Sequence, residues 1–372
     1  MSRAWCLLAL VSLGCAAPAR PTSTIRSAEV QPPGADLGAA GAAAGARAHL
    51  ERGQALIARG EMASATDAIR EALRLQPDLD DARAALGIAL VGLGDLDAAV
   101  EEMRASLERR PDAVATRLAL ARALVARQEW AAARAELERV LDAQPDRLDA
   151  RYALGGVRYA QGDIGGAIDA YRGVLAASPH NLDARFGLAL VLTLARRDLE
   201  ATAEFLTAAR GGHPRAQYFA GNAYAAGRGV ERSPSTAIAW WSQAAEQGVT
   251  PAVDALAQLR QTALGRGGRV APAQQRAAEQ AFGDYRASLW KDFPELTATG
   301  DETLGGALLR QGRVPEAVAM LIREAWALSQ PAQRLLETLY EQGVDGRLPP
   351  HDARILAYLR SAAAEGLRPP AP

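Results

Sequence analysis

The chain has 372 residues, of which 49% are hydrophobic and 23% are charged, and its formal net charge is −1. This composition is typical of a foldable chain that is long enough for two or more domains or for one extended array of repeats. The near-neutral charge gives no reason to expect binding to nucleic acid. The only cysteines, Cys6 and Cys15, lie near the N-terminus, so the remainder of the chain can form neither a disulfide nor a thiolate metal site.

Residues 1–15 have the pattern of an export signal. Arg3 supplies the positive start, and the apolar stretch after it is shorter than the about 20 residues that a membrane-spanning helix needs. The sequence Val-Ser-Leu-Gly-Cys at residues 11–15 resembles the lipobox of bacterial lipoproteins. The resemblance implies that the signal is removed and that Cys15 is the lipidation site. Ordinary cleavage after Ala19 would instead leave a soluble periplasmic protein.

Residues 16–45 are predicted to form a disordered tether. They are rich in alanine, glycine and proline and contain few large apolar side chains, so they cannot bury enough surface to offset the entropy of the chain. A flexible segment of this length has a root-mean-square reach of about 30 Å. That reach would hold the following repeats clear of a membrane surface.

Residues 46–213 contain a pattern that recurs every 34 residues. One column holds proline, one holds alanine, and one holds only glycine or alanine; the members are Pro77, Pro111, Pro145 and Pro179, then Ala65, Ala99, Ala133, Ala167 and Ala201, then Gly53, Gly87, Ala121, Gly155 and Ala189. A period near 34 residues is typical of paired antiparallel helices stacked into a solenoid. The columns resemble the tetratricopeptide repeat, with five units. The resemblance implies an all-α fold, an α-solenoid of antiparallel helix pairs that forms a right-handed superhelix.

Each unit carries the signals that start and stop two helices. In the second unit Gly94 ends the first helix, and Asp95 stands where it can cap the second. Pro111 ends that second helix because proline has no N–H to donate. Gln128 and Arg196 stand near the turns where other units have glycine, so we expect those turns to be looser.

The period changes after residue 213. Residues 214–260 resemble one Sel1-like repeat, a relative of the tetratricopeptide repeat with a longer loop between its helices, here near residues 227–235. Trp240 and Trp241 are expected to pack inside it. Residues 261–300 are predicted to be a divergent helical segment, and residues 301–367 resemble a degenerate tetratricopeptide-like unit followed by a second Sel1-like unit.

The sequence contains no recognisable motif for a catalytic centre, a nucleotide or a metal. Its four histidines lie in separate units, and the acidic residues near the repeat starts fit helix capping better than catalysis. We therefore predict that the protein is not an enzyme, and that it has no cofactor, no metal and no small-molecule substrate.

A partner-binding groove is predicted on the first helices of the repeats. At 100° per residue, one stripe on each first helix points away from the second helix, and in tetratricopeptide proteins such positions resemble the lining of a concave groove that takes peptides or helices. The predicted groove residues are Gln54, Ile88, Leu118, Arg122, Tyr152, Tyr159 and Phe186. The aromatic members are the expected anchors, and Arg122 is expected to meet an acidic group. The alternative is that these side chains only fill contacts between adjacent first helices.

Two classes of function fit the sequence. The first is a lipid-anchored scaffold, an outer-membrane lipoprotein that faces the periplasm and binds other proteins through its repeats. Its combination of lipobox and repeats resembles lipoproteins of alginate-type polysaccharide export and the pilotins of type IV pili. The second is a soluble periplasmic regulator, or a peptidoglycan-associated enzyme or adaptor, of the Sel1-like class. Repeat architecture does not by itself identify the partner.

Overall fold

A computed structural model describes residues 39–266, 269–297 and 302–367 of the chain. These residues form eighteen α-helices and one short 3-10 helix, and their only β-structure is a single bridge between Val344 and Leu348. The predicted all-α solenoid of helix pairs is confirmed. The chain divides into two compact units, residues 1–196 and residues 197–372. The predicted signal with Cys15 and residues 16–38 of the predicted tether lie outside the described residues.

The N-terminal unit has nine helices in its described part, and each packs against the next one along the chain. Their bounds are α1 (Ala39–Ala58), α2 (Met62–Leu75), α3 (Asp80–Leu93), α4 (Leu96–Arg109), α5 (Val114–Ala126), α6 (Trp130–Ala143), α7 (Leu148–Gln161), α8 (Ile164–Ala177) and α9 (Leu182–Leu194). The odd-numbered helices are the first helices of the repeats, and the even-numbered helices are the second helices.

The C-terminal unit also has nine helices in its described part. They are α10 (Asp198–Arg210), α11 (Pro214–Ala226), α12 (Pro234–Glu246), α13 (Thr250–Ala263), α14 (Pro272–Leu289), α15 (Leu304–Arg310), α16 (Val314–Trp326), α17 (Gln330–Gln342) and α18 (Ala353–Ala364), with the 3-10 helix at Trp290–Asp292. The loop between α11 and α12 falls where the longer Sel1-like loop was predicted. Trp241 of α12 is buried, and its indole N–H donates to Asn222 Oδ1 at 3.1 Å, so this side chain packs as expected.

Helix α1 begins earlier than the sequence predicts. Residues 39–45 belong to the predicted tether, but they form the first two turns of α1. Alanine is the strongest helix former and fills most of these positions. A side chain at Gly45 would lie 3.2 Å from Leu75 Cδ1, so this part of α1 already packs against α2. The start of the helix is therefore fixed by packing on the second helix as well as by propensity.

The turns inside the repeats share one backbone geometry. Gly94 and Gly162 end α3 and α7 in the left-handed conformation, with φ of 84° and 81°. Gln128 and Arg196 adopt the same region, with φ of 61° and 60°. The expected loosening of the turn at these two residues is therefore not seen. Both turns stay tight, and Gln128 and Arg196 are strained because a residue with a Cβ atom is disfavoured in the left-handed region.

A column of arginines ties each repeat to the one before it. Each donates from its guanidinium to the carbonyl of the proline six residues earlier; the pairs are Arg83 with Pro77 (2.9 Å), Arg117 with Pro111 (2.5 Å), Arg151 with Pro145 (2.6 Å) and Arg185 with Pro179 (2.8 Å). Arg83 also donates to the carboxylate of Glu102, and Arg117 donates to that of Glu136, each within its own repeat. These arginines recur every 34 residues in the sequence, but their bonds to the prolines were not predicted.

The C-terminal unit is held by contacts between distant segments. Arg260 of α13 makes two hydrogen bonds, of 2.7 and 2.9 Å, to the carboxylate of Glu365 just after α18, and its guanidinium lies 4.5 Å from the centroid of the Trp326 ring. The Glu324 carboxylate of α16 accepts the backbone N–H groups of Leu304 and Gly305 at 2.8 and 3.0 Å. The contact of Arg260 with Glu365 joins residues 105 positions apart, whereas that of Glu324 joins the neighbouring helices α15 and α16.

Candidate functional site: the first-helix layer

The first helices form the tighter of the two layers in the N-terminal unit. Helix α1 contacts α3, α3 contacts α5, and α7 contacts α9, whereas α5 and α7 barely touch. Among the described residues of this unit, successive second helices barely touch one another. A surface built from closely spaced first helices can present side chains of adjacent repeats side by side. We call this surface the first-helix layer.

The structure places the seven predicted groove residues in two groups. Leu118, Tyr159 and Phe186 are buried, with 4%, 5% and 0% of their surface exposed. Buried side chains have too little surface to be the main contacts of a partner. The others keep surface on the first-helix layer; Ile88 is 42% exposed, Tyr152 is half-buried, and Gln54 and Arg122 are exposed.

Arg122 already has an acidic neighbour. Its guanidinium lies 3.6 Å from the carboxylate of Asp149 at the start of α7, and both side chains are exposed. Burial raises the pKa of Asp149, but the hydrogen bond and charge of Arg147 and smaller contributions from Ala150 and Arg122 outweigh it, so the pKa lies below its usual range. An exposed pair of this kind contributes little stability. Arg122 can therefore turn to an acidic group of a partner at small cost.

An apolar row crosses the layer beside these residues. Ile88 stands near the middle of α3, and Val91 lies one turn further along the same helix. Ile57 of α1 and Val125 of α5 occupy the position of Val91 in the neighbouring repeats, and these three are half-buried. The row is thus a run of aliphatic side chains that adjacent repeats contribute in the same register.

Three tyrosines meet in the fourth repeat. Tyr152 and Tyr159 lie on α7, and Tyr171 reaches them from α8; the ring centroids of Tyr152 and Tyr171 are 5.6 Å apart, edge to face. Tyr171 has no exposed surface, and its hydroxyl has no hydrogen-bond partner among the described residues. Burial, with smaller contributions from Tyr152 and Tyr159, raises the pKa of Tyr171 well above its usual value, so the phenol keeps its proton.

The opposite side of the unit has a cavity of 460 Å³ between α4 and α6, above α5. Leu107, Leu120 and Leu124 are among its lining residues, together with charged side chains of both signs. Glu136, on this lining, binds both Arg117 and Arg139, so much of the charge is already compensated. Because the lining carries charges of both signs, it favours neither an acidic nor a basic ligand.

Over residues 39–266, 269–297 and 302–367, no three histidine, cysteine, aspartate or glutamate side chains come together as metal ligands could. The imidazole of His213 is buried and accepts the backbone N–H of Ala216 at 3.1 Å, which caps α11. None of the described helices combines the length and the apolar character that crossing a membrane requires.

Family models match much of the chain. Models of the tetratricopeptide repeat match residues 46–79, 84–146, 118–181 and 152–217, and the model of the Sel1 repeat matches residues 214–249. No curated protein sequence matches the chain. The two repeat types inferred from the sequence are confirmed.

Solved structures with a similar fold are distant in sequence. A MamA fragment from Desulfovibrio magneticus RS-1 is 22% identical, with a TM-score of 0.43, over 46% of this chain and 96% of that one. PilF of Pseudomonas aeruginosa is 20% identical, with a TM-score of 0.49, over 56% of this chain and 94% of that one. YrrB, described as a tetratricopeptide repeat protein with an unusual peptide-binding site, is 20% identical, with a TM-score of 0.41, over 51% of this chain and 98% of that one.

Proposed function

Because the chain is a tetratricopeptide repeat protein with a Sel1 repeat in its C-terminal half, we propose that it is a lipid-anchored scaffold of a bacterial cell envelope. In this proposal its first-helix layer holds a partner protein, and its N-terminal Cys15 carries the lipid. The complex that it supports is an envelope assembly such as a polysaccharide-export or pilus machine. Arrays of this kind offer extended surfaces for binding other proteins.

The observation that carries the proposal is the partly exposed apolar row on the first-helix layer. Ile88 exposes 42% of its surface there, with half-buried aliphatic neighbours in three successive repeats. Aliphatic side chains that remain partly exposed in a row favour contact with an apolar segment of another protein. An amphipathic helix that lays its apolar face along the row and an acidic side chain near Arg122 fits these features.

A photo-crosslinking amino acid in place of Ile88 tests partner binding in intact cells. We expect it to form a defined crosslinked product with one envelope protein, because position 88 would lie within the interface. The matched control is the same amino acid in place of Ala131, which is exposed on the second helix α6. Equal products from both positions, or none from position 88, would reject the first-helix layer as the binding surface.

The substitution Cys15→Ser tests the anchor. It removes the thiol that acylation requires, so we expect the protein to move from the membrane fraction to the soluble periplasmic fraction. A cysteine with several acyl chains anchors firmly, whereas one chain alone binds only marginally. A serine variant that sediments with membranes as the parent does would refute lipidation, and a parent that is already soluble would favour the periplasmic alternative.

A further inference from the structure

Five glycines inside the first helices have a visible reason to be there, and Gly156 differs from them. At five of them a methyl group would press into a side chain of a packed helix; they are Gly53, Gly87, Gly92, Gly155 and Gly187, facing Ile69, Met103, Met62, Tyr171 and Tyr171 respectively. At Gly156 the nearest atom to such a methyl is Tyr171 Oη at 3.6 Å, an ordinary contact distance. Glycine destabilises a helix interior relative to alanine. The fold therefore does not itself require glycine at position 156.

The missing side chain leaves a notch in the first-helix layer. The other repeats fill the same position with larger residues, namely Gln54, Ile88, Arg122 and Leu190. Tyr152 lies four residues before Gly156 and Tyr159 three residues after it, so both stand on the same face of α7. The notch is thus the vacant side-chain position of Gly156, with one tyrosine before it and one after it along α7.

A buried hydrogen-bond donor lies beneath this notch. The hydroxyl of Tyr171 is the atom closest to the vacant methyl position, and it has no hydrogen-bond partner among the described residues. Burial keeps the phenol protonated by raising its pKa. A buried donor without an acceptor is costly and uncommon in folded proteins. The fourth repeat therefore combines empty space on its surface with an unused donor below it.

We propose that the notch at Gly156 receives one side chain of the partner, an asparagine or a glutamine, whose carbonyl oxygen accepts the hydrogen bond of the Tyr171 hydroxyl. This inference rests on the proposed function, because it names the chemistry that the first-helix layer recognises. An aliphatic side chain would leave the hydroxyl unsatisfied, and a lysine or arginine would set a donor against a donor. A carboxylate would lose its hydration among the tyrosine rings, and one hydrogen bond does not offset that cost. Tyr152, the half-exposed member of the three, yields to the incoming amide.

The test uses acetylated and amidated peptides of about twelve residues, synthesised in pools that differ only in the residue fixed at the centre. Binding of each pool to the full chain is measured by fluorescence polarisation. We expect the asparagine and glutamine pools to bind about five- to tenfold more tightly than the leucine pool, which is the worth of one hydrogen bond. Tyr171→Phe keeps the ring and removes the donor, so it should abolish this preference.

A second test fills the notch with a side chain of the protein itself. Gly156→Leu should weaken binding of the asparagine pool at least tenfold. If the leucine variant does not fold, Gly156→Ala replaces it in the test, because the fold has room for a methyl group at this position. The control is Gly165→Ala on α8, where a methyl meets no atom within 4 Å and the site is exposed. Both alanine variants should raise the melting temperature by about 2–4 °C. Only the change at position 156 should weaken binding.

These experiments distinguish the proposal for the notch from the proposal that the first-helix layer binds a partner. If the pools bind the parent and Ile88→Asp abolishes that binding, but Gly156→Leu and Tyr171→Phe bind as the parent does, the notch is refuted and the first-helix layer stands. A preference for apolar or acidic pools would also refute the notch. If no pool binds the parent better than it binds the Ile88→Asp variant, both the notch and the first-helix layer are refuted.

Discussion

The two units of the chain are held together by contacts of different range. In the N-terminal unit the pair of Arg83 and Glu102 joins residues 19 positions apart, and it recurs one repeat later as Arg117 with Glu136. In the C-terminal unit the buried pair of Arg260 and Glu365 joins residues 105 positions apart. Repeat arrays are stabilised by a sum of neighbouring interactions. A single long-range contact has no copy elsewhere, so its loss affects a whole unit.

Replacing Arg260 with alanine is expected to cause the largest effect. The change leaves the Glu365 carboxylate without its partner at a largely buried site and removes the contact with the Trp326 ring. Breaking a buried pair costs about 3–5 kcal/mol. Unfolding in urea, followed by tryptophan fluorescence, would measure the loss, because most of the six tryptophans lie in the C-terminal unit.

The matched control is Arg323→Ala in the same unit. Arg323 also makes two hydrogen bonds to one carboxylate, that of Glu246, but its side chain is 40% exposed. An exposed pair contributes about 0–1 kcal/mol. A comparable loss of stability for both variants would show that burial does not distinguish the two pairs.

A smaller effect is expected at Glu324, and it should depend on pH. Burial raises the pKa of Glu324, although the N–H groups of Gly305 and Leu304 and the charge of Arg286 act against it. The folded-state pKa then lies above the unfolded one, so the folded state holds the proton more tightly. The stability from this group is complete below the unfolded pKa and is lost as the pH rises through the folded pKa.

We therefore expect the parent to lose more stability than Glu324→Gln between about pH 4 and pH 8. Urea unfolding at both pH values gives the comparison. Glu316→Gln on the same helix is the control with the opposite sign, because the hydrogen bond of Arg313 lowers the pKa of Glu316. Stability from Glu316 should be lost as the pH falls. Parallel pH curves for the parent and Glu324→Gln would contradict the expectation.

The smallest effect belongs to the N-terminal unit. Gln128→Gly should raise stability by about 0.5–1 kcal/mol, because glycine adopts the left-handed turn without the strain of a Cβ atom. The reciprocal change, Gly94→Gln, should lower stability by a similar amount. Circular dichroism during thermal unfolding would measure both, and Trp130 beside the turn offers a local fluorescence signal. Opposite signs would mean that the side chain of Gln128 stabilises the turn.

The sequence was most informative where the chain repeats itself. Gly94 and Asp95 end one helix and cap the next as predicted, and Asp95 accepts the N–H of Ala98 at 3.3 Å. These signals act over a few residues and recur at a fixed period. The contact between Arg260 and Glu365 could not be read in this way, because two residues 105 positions apart share no local pattern.

The candidate site was predictable in position but not in exposure. The stripe through Ile88 and Tyr152 does lie on the first-helix layer. Helical periodicity gives the direction of a side chain but not what adjacent repeats place over it, and Phe186 and Tyr159 are buried for that reason. Gly156 lies on the same face of α7 as Tyr152. Its significance depends on the position of Tyr171 on another helix, which only the structure provides.

The arginine column has a consequence for how the array can change length. Each arginine finds its acceptor on the proline six residues earlier, from Arg83 with Pro77 to Arg185 with Pro179. A duplication or deletion of 34 residues inside this span recreates the same junction with every donor still matched. Insertions or deletions of other lengths inside a junction separate a guanidinium from its carbonyl. The chain can therefore grow or shrink by whole copies without losing the hydrogen bonds at its junctions.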